Sequence, residues 1–131
     1  MVIRLHTHHV IIEIKTEQDI SIARHEGKAI AEKMGFHLFD QVRLKTVISE
    51  LARNIYVYGT EGHIIIEAIQ QHNRVGIRVF AIDHGVVNDA RQQGLGCLLP
   101  GVHRLVDSMN MVTAEEIGTE VVVVKWRKER L

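Results

Sequence analysis

The segment SELARN, residues 49–54, carries a carboxylate and an amide at a spacing that could support chemistry. Glu50 and Asn54 stand at i and i+4, so a helix would place both side chains on one face. An apolar stripe centred near Leu44 and Ile55 would lie about 80° from Asn54 and about 120° from Glu50. At that boundary a carboxylate can act as a general base and an amide oxygen can bind Mg²⁺. The spacing is equally that of an ordinary boundary pair on an amphipathic helix.

The segment AIDHG, residues 81–85, places an acidic residue at the end of an apolar strand. Gly85 follows Asp83 by two residues, so the backbone could approach a ligand that the carboxylate hydrogen-bonds. Asp and Gly are also common turn residues, so a turn that ends the strand explains the same letters.

The segment GLGCLLPG, residues 94–101, contains glycines ahead of a short helix. Gly94, Gly96 and Gly101 could expose backbone N–H groups to an anion, as a phosphate-binding loop does. The segment lacks the Lys-Ser/Thr of a P-loop and the surrounding βαβ unit of a dinucleotide fingerprint. A flexible connection remains the alternative. Cys97 within it is better explained as a small packing residue than as a nucleophile, because no partner can be assigned from the sequence.

Hydrophobic periodicity predicts the elements that must position these groups. Thr16 is the predicted N-cap of the first helix and Gly35 its end, and Pro100 suits the first position of the third. The predicted elements are a strand His9–Lys15, helices Glu17–Met34 and Phe39–Tyr58, strands His63–Gln70 and Val75–Asp83, a helix Gly101–Met109, and a hairpin of Met111–Glu115 and Thr119–Trp126. This order predicts a two-layer α+β sandwich, with helices on one face of a mixed, mainly antiparallel sheet.

Composition limits the class of protein. The 131 residues predict one domain spanning 1–131, and 16 basic against 16 acidic residues give no net charge, which argues against a general nucleic-acid binder. One cysteine excludes an internal disulfide, and neither a membrane span nor a signal peptide is evident, so we expect a soluble cytoplasmic protein without a membrane partner. His6, His8 and His9 are interpreted as a solvated N-terminal segment and not a metal site. The basic tail and Trp126 are likewise assigned to a solvated end and a core or edge aromatic.

Taken together, the three segments resemble the N, G1 and G2 boxes of the GHKL ATPase superfamily. Within it the chain is most similar to the small anti-sigma-factor serine/threonine kinases, particularly the RsbT-type switch kinases of bacterial stress signalling. The resemblance covers nearly the whole chain. It is most specific at residues 40–59 (DQVRLKTVISELARNIYVYG), 81–85, 94–107 (GLGCLLPGVHRLVD) and 118–126 (GTEVVVVKW).

The resemblance implies a Bergerat-type (histidine-kinase-like) domain that binds ATP and Mg²⁺ between sheet and helices. It implies that Glu50 is the catalytic base toward a substrate serine, that Asn54 binds Mg²⁺, and that Asp83 accepts a hydrogen bond from adenine. Gly85 would let the base approach. The residues it implies along the phosphates and beside the adenine are Gly94, Gly96, Gly101 and Thr119. The implied partners are a STAS-type antagonist as substrate and a downstream phosphatase or regulator, with a homodimer left open.

The sequence also departs from the family pattern. Val87 and Leu98 replace the later glycines of the two glycine boxes, and residues 84–93 are about ten residues shorter than in a typical member, at the position of the ATP lid. A shorter lid would leave the phosphates open to water. The leading hypothesis is therefore an ATP-dependent serine/threonine kinase of a partner-switching module. The alternative is a catalytically impaired, protein-binding module of the same fold, and an unrelated small-molecule enzyme has only the loop glycines behind it.

Overall fold

The computed structural model describes the backbone of residues 2–4 and residues 9–57, 61–85, 100–114 and 118–128. These ranges contain six strands and three helices. They are β1 (Val2–Arg4), β2 (His9–Ile14), α1 (Glu17–Lys33), α2 (Leu38–Val57), β3 (Gly62–Gln71), β4 (Arg74–Asp83), α3 (Pro100–His103), β5 (Ser108–Ala114) and β6 (Gly118–Trp126).

The strands form one six-stranded sheet in the order β1-β2-β3-β4-β6-β5, and each of these described pairings is antiparallel. Side chains alternate between the two faces of a strand, so one residue in two of β4 faces the helices. These are Ile77, Val79, Ala81 and Asp83, and all are buried. The predicted two-layer sandwich with helices on one face is confirmed.

Two ends of the sheet matter below. The Asp83 end is where β3 begins, β4 ends and β6 begins. The Trp126 end is where β3 ends, β4 begins and β6 ends. A cleft or side chain at one end is separated from the other by the length of a strand of about ten residues, roughly 30 Å.

The sequence predicts α1 correctly because its start carries a capping signal. The Asp19 carboxylate accepts the backbone N–H groups of Lys15 (2.9 Å) and of the N-cap Thr16 (2.8 Å), which holds the chain in place where it enters the helix. Burial alone would raise the pKa of the Asp19 carboxyl, but these hydrogen bonds outweigh it and hold that pKa below its usual value. Gly35 follows the helix with φ of 79°.

The apolar stripe predicted on α2 is confirmed, and it faces the sheet. Its residues are Leu44, Val47, Ile48, Leu51 and Ile55, none more than 1% exposed. None of the described helices is long and apolar enough to cross a bilayer.

An ion pair fixes the start of α2 against the sheet at the Trp126 end. Asp40, 2% exposed, is hydrogen-bonded by Arg43 (2.8 Å) and lies 3.5 Å from the Lys125 ammonium, which extends from the helix-facing side of β6. Burial alone would raise the pKa of the Asp40 carboxyl. The hydrogen bond from Arg43 and the charges of Lys125 and Lys128 outweigh burial, so the pKa is lowered instead.

The third predicted helix is wrong in its length. The structure ends α3 at His103, and Met109 belongs to β5 instead. Met109 pairs with Val123 and is partly buried against the core. The pairing of β5 with the Val-rich strand β6 therefore decides the conformation of these residues over their weak local preference.

The N-terminal interpretation also needs correction at one residue. His9 is half-buried in β2 and hydrogen-bonds Glu67 on β3, which also pairs with Arg78 on β4. The three residues lie in one row across the face of the sheet away from the helices. His9 is therefore part of the sheet and not of a solvated segment, whereas His6 and His8 lie outside the described residues.

Candidate functional site

Glu50 and Asn54 occupy the boundary that the helical wheel predicts. Both are half-buried on α2, whereas Arg53 between them is exposed. The predicted orientation of Glu50 and Asn54 is therefore confirmed. It could be predicted because the buried stripe of α2 alone places these two side chains at the edge of the core. The catalytic and Mg²⁺-binding roles of the pair stay predictions.

Asp83 ends β4 as a buried carboxylate, 5% exposed. Its Oδ1 accepts the backbone N–H of Gly85 at 2.7 Å, so the residues after the strand form a local turn around the carboxylate. A carboxylate has further lone pairs, so this hydrogen bond holds Asp83 in place and leaves it able to accept another donor.

Thr119 is brought directly beside Asp83. The two residues are register partners on β6 and β4, and Thr119 is 7% exposed. The Thr119 Oγ1 lies 3.5 Å from that of Thr113 on β5. The resemblance predicts that Asp83 and Thr119 contact one ligand, and the sheet places these two residues next to each other.

A cleft of about 260 Å³ opens at this end of the sheet. Asp83, Thr119 and Gly118 line it together with residues from the other face, Ile82, His84, Val112 and Glu120. Glu50 and Asn54 are not among the described residues that line it. The structure therefore groups Asp83 with Thr119 and leaves the α2 pair outside this cleft.

The end of α2 nevertheless lies over the Asp83 end of the sheet. A Cβ placed on Gly62 would be 2.9 Å from the Ile55 side chain, and Gly62 is the register partner of Asp83. Asn54 precedes Ile55, and Glu50 lies one turn earlier, about 6 Å along the helix axis. The N-box residues and the G1 aspartate thus belong to the same end of the molecule.

Two glycines that the sequence analysis did not single out as site residues shape this end. Gly118 has φ of 111°, and a Cβ there would collide with the carbonyl of Asp83. Gly62 lies on β3, the neighbour of β4 on the opposite side from β6, and a Cβ on Gly62 would collide with the carbonyl of Ile82. Each is the first residue of a strand beside β4, but only the register reveals what it approaches.

Two histidines lie beside Asp83 on the face of the sheet away from the helices. The rings of His63 and His84 have centroids 5.4 Å apart. Burial lowers the pKa of His63, the charge of His84 lowers it further, and Glu13 opposes the change. Protonation of His63 therefore changes the charge next to the candidate site.

Several residues that the sequence analysis discussed, among them the predicted site residues Gly94 and Gly96, cannot be placed. Gly94, Gly96, Cys97, Val87 and Leu98 lie outside the described residues. Gly101 lies in α3, and among the described residues outside its own helix none comes within 4 Å of a Cβ built on it. Its place along a phosphate path stays a prediction.

Comparison with known proteins decides the family. No protein-family model matches the chain. The serine/threonine-protein kinase RsbT of Bacillus subtilis (strain 168) is 40% identical to it over 125 residues, which cover 88% of this chain and 94% of the relative. The chain belongs to the RsbT family of serine/threonine-protein kinases. The match leaves little of either chain unaligned.

Proposed function

We propose that the chain is an ATP-dependent serine/threonine kinase of a bacterial partner-switching module. The observation that carries the proposal is the similarity to a serine/threonine-protein kinase along nearly the whole chain. The placement of Glu50, Asn54 and Asp83 at one end of the fold supports it. We propose a STAS-type antagonist protein as the substrate, a downstream phosphatase or regulator as the second partner, and the cytoplasm as the location.

The described residues fit a bound nucleotide and Mg²⁺. Asp83 is buried, held by the Gly85 N–H and still able to accept the N–H of an adenine amino group. Thr119 supports the same side of the site from the neighbouring strand. Asn54 is half-buried on α2, and its amide oxygen is a ligand of the kind that binds Mg²⁺.

The chain's own contribution to the reaction is positioning and proton transfer. Bound ATP would supply the phosphoryl group. Glu50 would take the proton from the substrate serine hydroxyl, and the Asn54 amide oxygen would hold the Mg²⁺ ion, which supplies charge neutralisation for the phosphates when it is bound. Asp83 and Thr119 would position the adenine ring.

A transfer assay tests the proposal at single residues. With labelled ATP and a cognate STAS protein, Glu50→Gln should reduce phosphate transfer roughly 10²- to 10⁴-fold, the usual value of a general base. Calorimetry with Mg·ATP should give this variant nearly normal affinity, because its charge-neutral side chain alters only the proton acceptor. Asp83→Asn should instead weaken ATP binding, because one carboxylate oxygen becomes a donor.

Arg53→Ala is the matched control. Arg53 lies on α2 between Glu50 and Asn54 but is exposed. Its removal should leave both the rate of phosphate transfer and the affinity for Mg·ATP unchanged. Transfer that persists at the wild-type rate in Glu50→Gln would contradict the role of Glu50.

One observation favours the second candidate function, a non-catalytic binding module. Glu50 and Asn54 do not line the described cleft at Asp83. If calorimetry finds no binding of Mg·ATP while the STAS protein still binds, the binding module replaces the kinase as the function of this chain.

A further inference from the structure

The strand β5 is one edge of the sheet, and no strand that the structure describes pairs with its outer side. In an edge strand every second residue directs its backbone N–H and C=O groups away from the neighbouring strand. β5 presents this edge over seven residues, Ser108–Ala114. It is therefore a template on which a further strand can pair.

β5 lacks the features that normally protect the edge of a sheet. Natural edges are blunted by short length, by charged side chains or by proline. The opposite edge, β1, follows this rule, because it has three residues and ends in Arg4. The sequence of β5, SMNMVTA, contains no charged residue and no proline. Of the two described edges, β5 is thus the one that offers a long, uncharged backbone.

Side chains on both faces of β5 add apolar area beside this edge. Met111 is 48% exposed and lies in the row of Val121, on the helix side of the sheet. Val112 is 67% exposed and lies on the face away from the helices. A strand added to β5 would cover part of both side chains, because its own side chains alternate between the two faces.

A carboxylate lies one strand inward from Val112. Glu120 on β6 is the register partner of Val112, is exposed, and forms no ion pair with another described residue. With Ile82 and His84, these two residues form the part of the Asp83 cleft that lies on the face away from the helices. Strands lie about 4.8 Å apart, so a lysine or arginine opposite Val112 can extend over Val112 to the Glu120 carboxylate.

We propose that the outer edge of β5 is a strand-addition site for an extended segment of a protein partner, with a lysine or arginine opposite Val112. Backbone hydrogen bonds of the segment supply the affinity, and the cleft at Glu120 selects the basic residue. A second copy of this chain does not supply that residue through its own β5, which contains neither lysine nor arginine. Charge complementarity therefore favours a different protein over self-pairing.

Amide hydrogen exchange measured by NMR tests the proposal on the full chain. No nucleotide is added, so the result does not depend on the proposed kinase. The probe is a short peptide of threonine and valine with a central lysine. One control peptide has glutamate at the centre, and another has N-methylated amides that cannot donate hydrogen bonds. At saturation with the lysine peptide, we expect alternate amides of Ser108–Ala114 to exchange roughly tenfold more slowly and those of α2 to stay unchanged.

Variants separate the carboxylate from the strand edge. Glu120→Gln should weaken the lysine peptide roughly two- to fivefold, as expected for an exposed ion pair, and should not weaken the glutamate peptide. Val112→Lys places a cation on the edge itself and should weaken the lysine peptide roughly tenfold. Val42→Lys is the matched control, because Val42 is also an exposed valine, at 50%, but lies on α2. This control should bind the lysine peptide as the wild type does.

The other occupants of the edge are outcomes of the same experiment. Exchange at β5 that slows with rising protein concentration, without peptide, would show that a second copy occupies the edge and would overturn the proposal. Equal affinity for the lysine and glutamate peptides would overturn the selection of a basic residue by Glu120. Unprotected β5 amides at saturating lysine peptide would overturn strand addition itself.

Discussion

At the Asp83 end of the sheet, two strands close on β4 because Gly62 and Gly118 have no side chain there. At the Trp126 end, charged side chains hold the parts together, as when Asp40 on α2 meets Lys125 on β6. The first arrangement depends on volume and backbone conformation, and the second depends on charge. We therefore expect added atoms to damage the Asp83 end and altered charge to damage the Trp126 end.

The largest expected effect comes from breaking the ion pair at the Trp126 end. Asp40→Asn leaves the Lys125 ammonium buried, at 7% side-chain exposure, without its counter-charge. We expect the free energy of unfolding in urea to fall by about 3–5 kcal/mol, the usual cost of removing one partner of a buried pair. Lys125→Met should cost less, because Arg43 still hydrogen-bonds Asp40.

The dependence of the free energy of unfolding on pH provides a control for that prediction. The folded-state pKa of Asp40 is lowered, so its contribution to stability is full above the usual carboxyl value of about 4 and is lost as the pH falls through the folded value. The Asp40→Asn variant should lack this part of the acid dependence. A cost below about 1 kcal/mol for Asp40→Asn would show that the pair does not hold α2 to the sheet.

A single methyl group should damage the Asp83 end. Gly118→Ala places a Cβ at φ of 111° and against the Asp83 carbonyl. We expect a loss of roughly 2–3 kcal/mol in urea unfolding, together with weaker Mg·ATP binding, because Asp83 must move.

Gly101→Ala is the matched control for Gly118→Ala. A Cβ built on Gly101 meets no heavy atom within 4 Å in the part of the chain that the structure describes, and Gly101 lies in a helix, so the stability of this variant should stay within about 1 kcal/mol of the wild type. Equal losses in the two glycine variants would contradict crowding against the Asp83 carbonyl as the cause of the loss in Gly118→Ala.

The smallest expected effect concerns the charged groups that the Asp83 end does contain. Burial and the charge of His84 lower the pKa of His63. The stabilising contribution of neutral His63 is therefore present above the usual histidine value of about 6.5 and is lost as the pH falls through the lower, folded value. His84→Gln should raise the pKa of His63 in an NMR titration of the ring. An unchanged pKa would mean that the two rings do not interact in solution.

The sequence predicted most accurately where a local pattern and the final packing agree. The apolar stripe of α2 and the capping signal at Thr16 each depend only on residues of one helix and its cap. The predicted bounds of α1 and α2 are therefore confirmed to within a residue or two. The helix predicted over residues 101–109 failed because Met109 packs through its pairing with Val123 on β6. Such a pairing leaves no trace in nearby residues.

The candidate site shows the same limit. The half-buried positions of Glu50 and Asn54 follow from one helix, so the wheel predicted them. The contact of Gly118 with Asp83 and the pair between Asp40 and Lys125 join residues far apart in the chain. Only the sheet register and the helix–sheet packing bring those residues together, and neither can be counted from a single sequence.

α2 spans the distance between the two ends of the sheet. Its 20 residues make a rod about 30 Å long, with Asp40 near its start and Asn54 near its finish. A partner that reached both ends would bind as a bivalent ligand, and the second contact would form at the effective concentration that this fixed spacing sets. The length of α2 therefore sets the reach that such a partner needs. A partner shorter than about 30 Å forms one contact, and a partner that matches this span forms both contacts and binds more tightly.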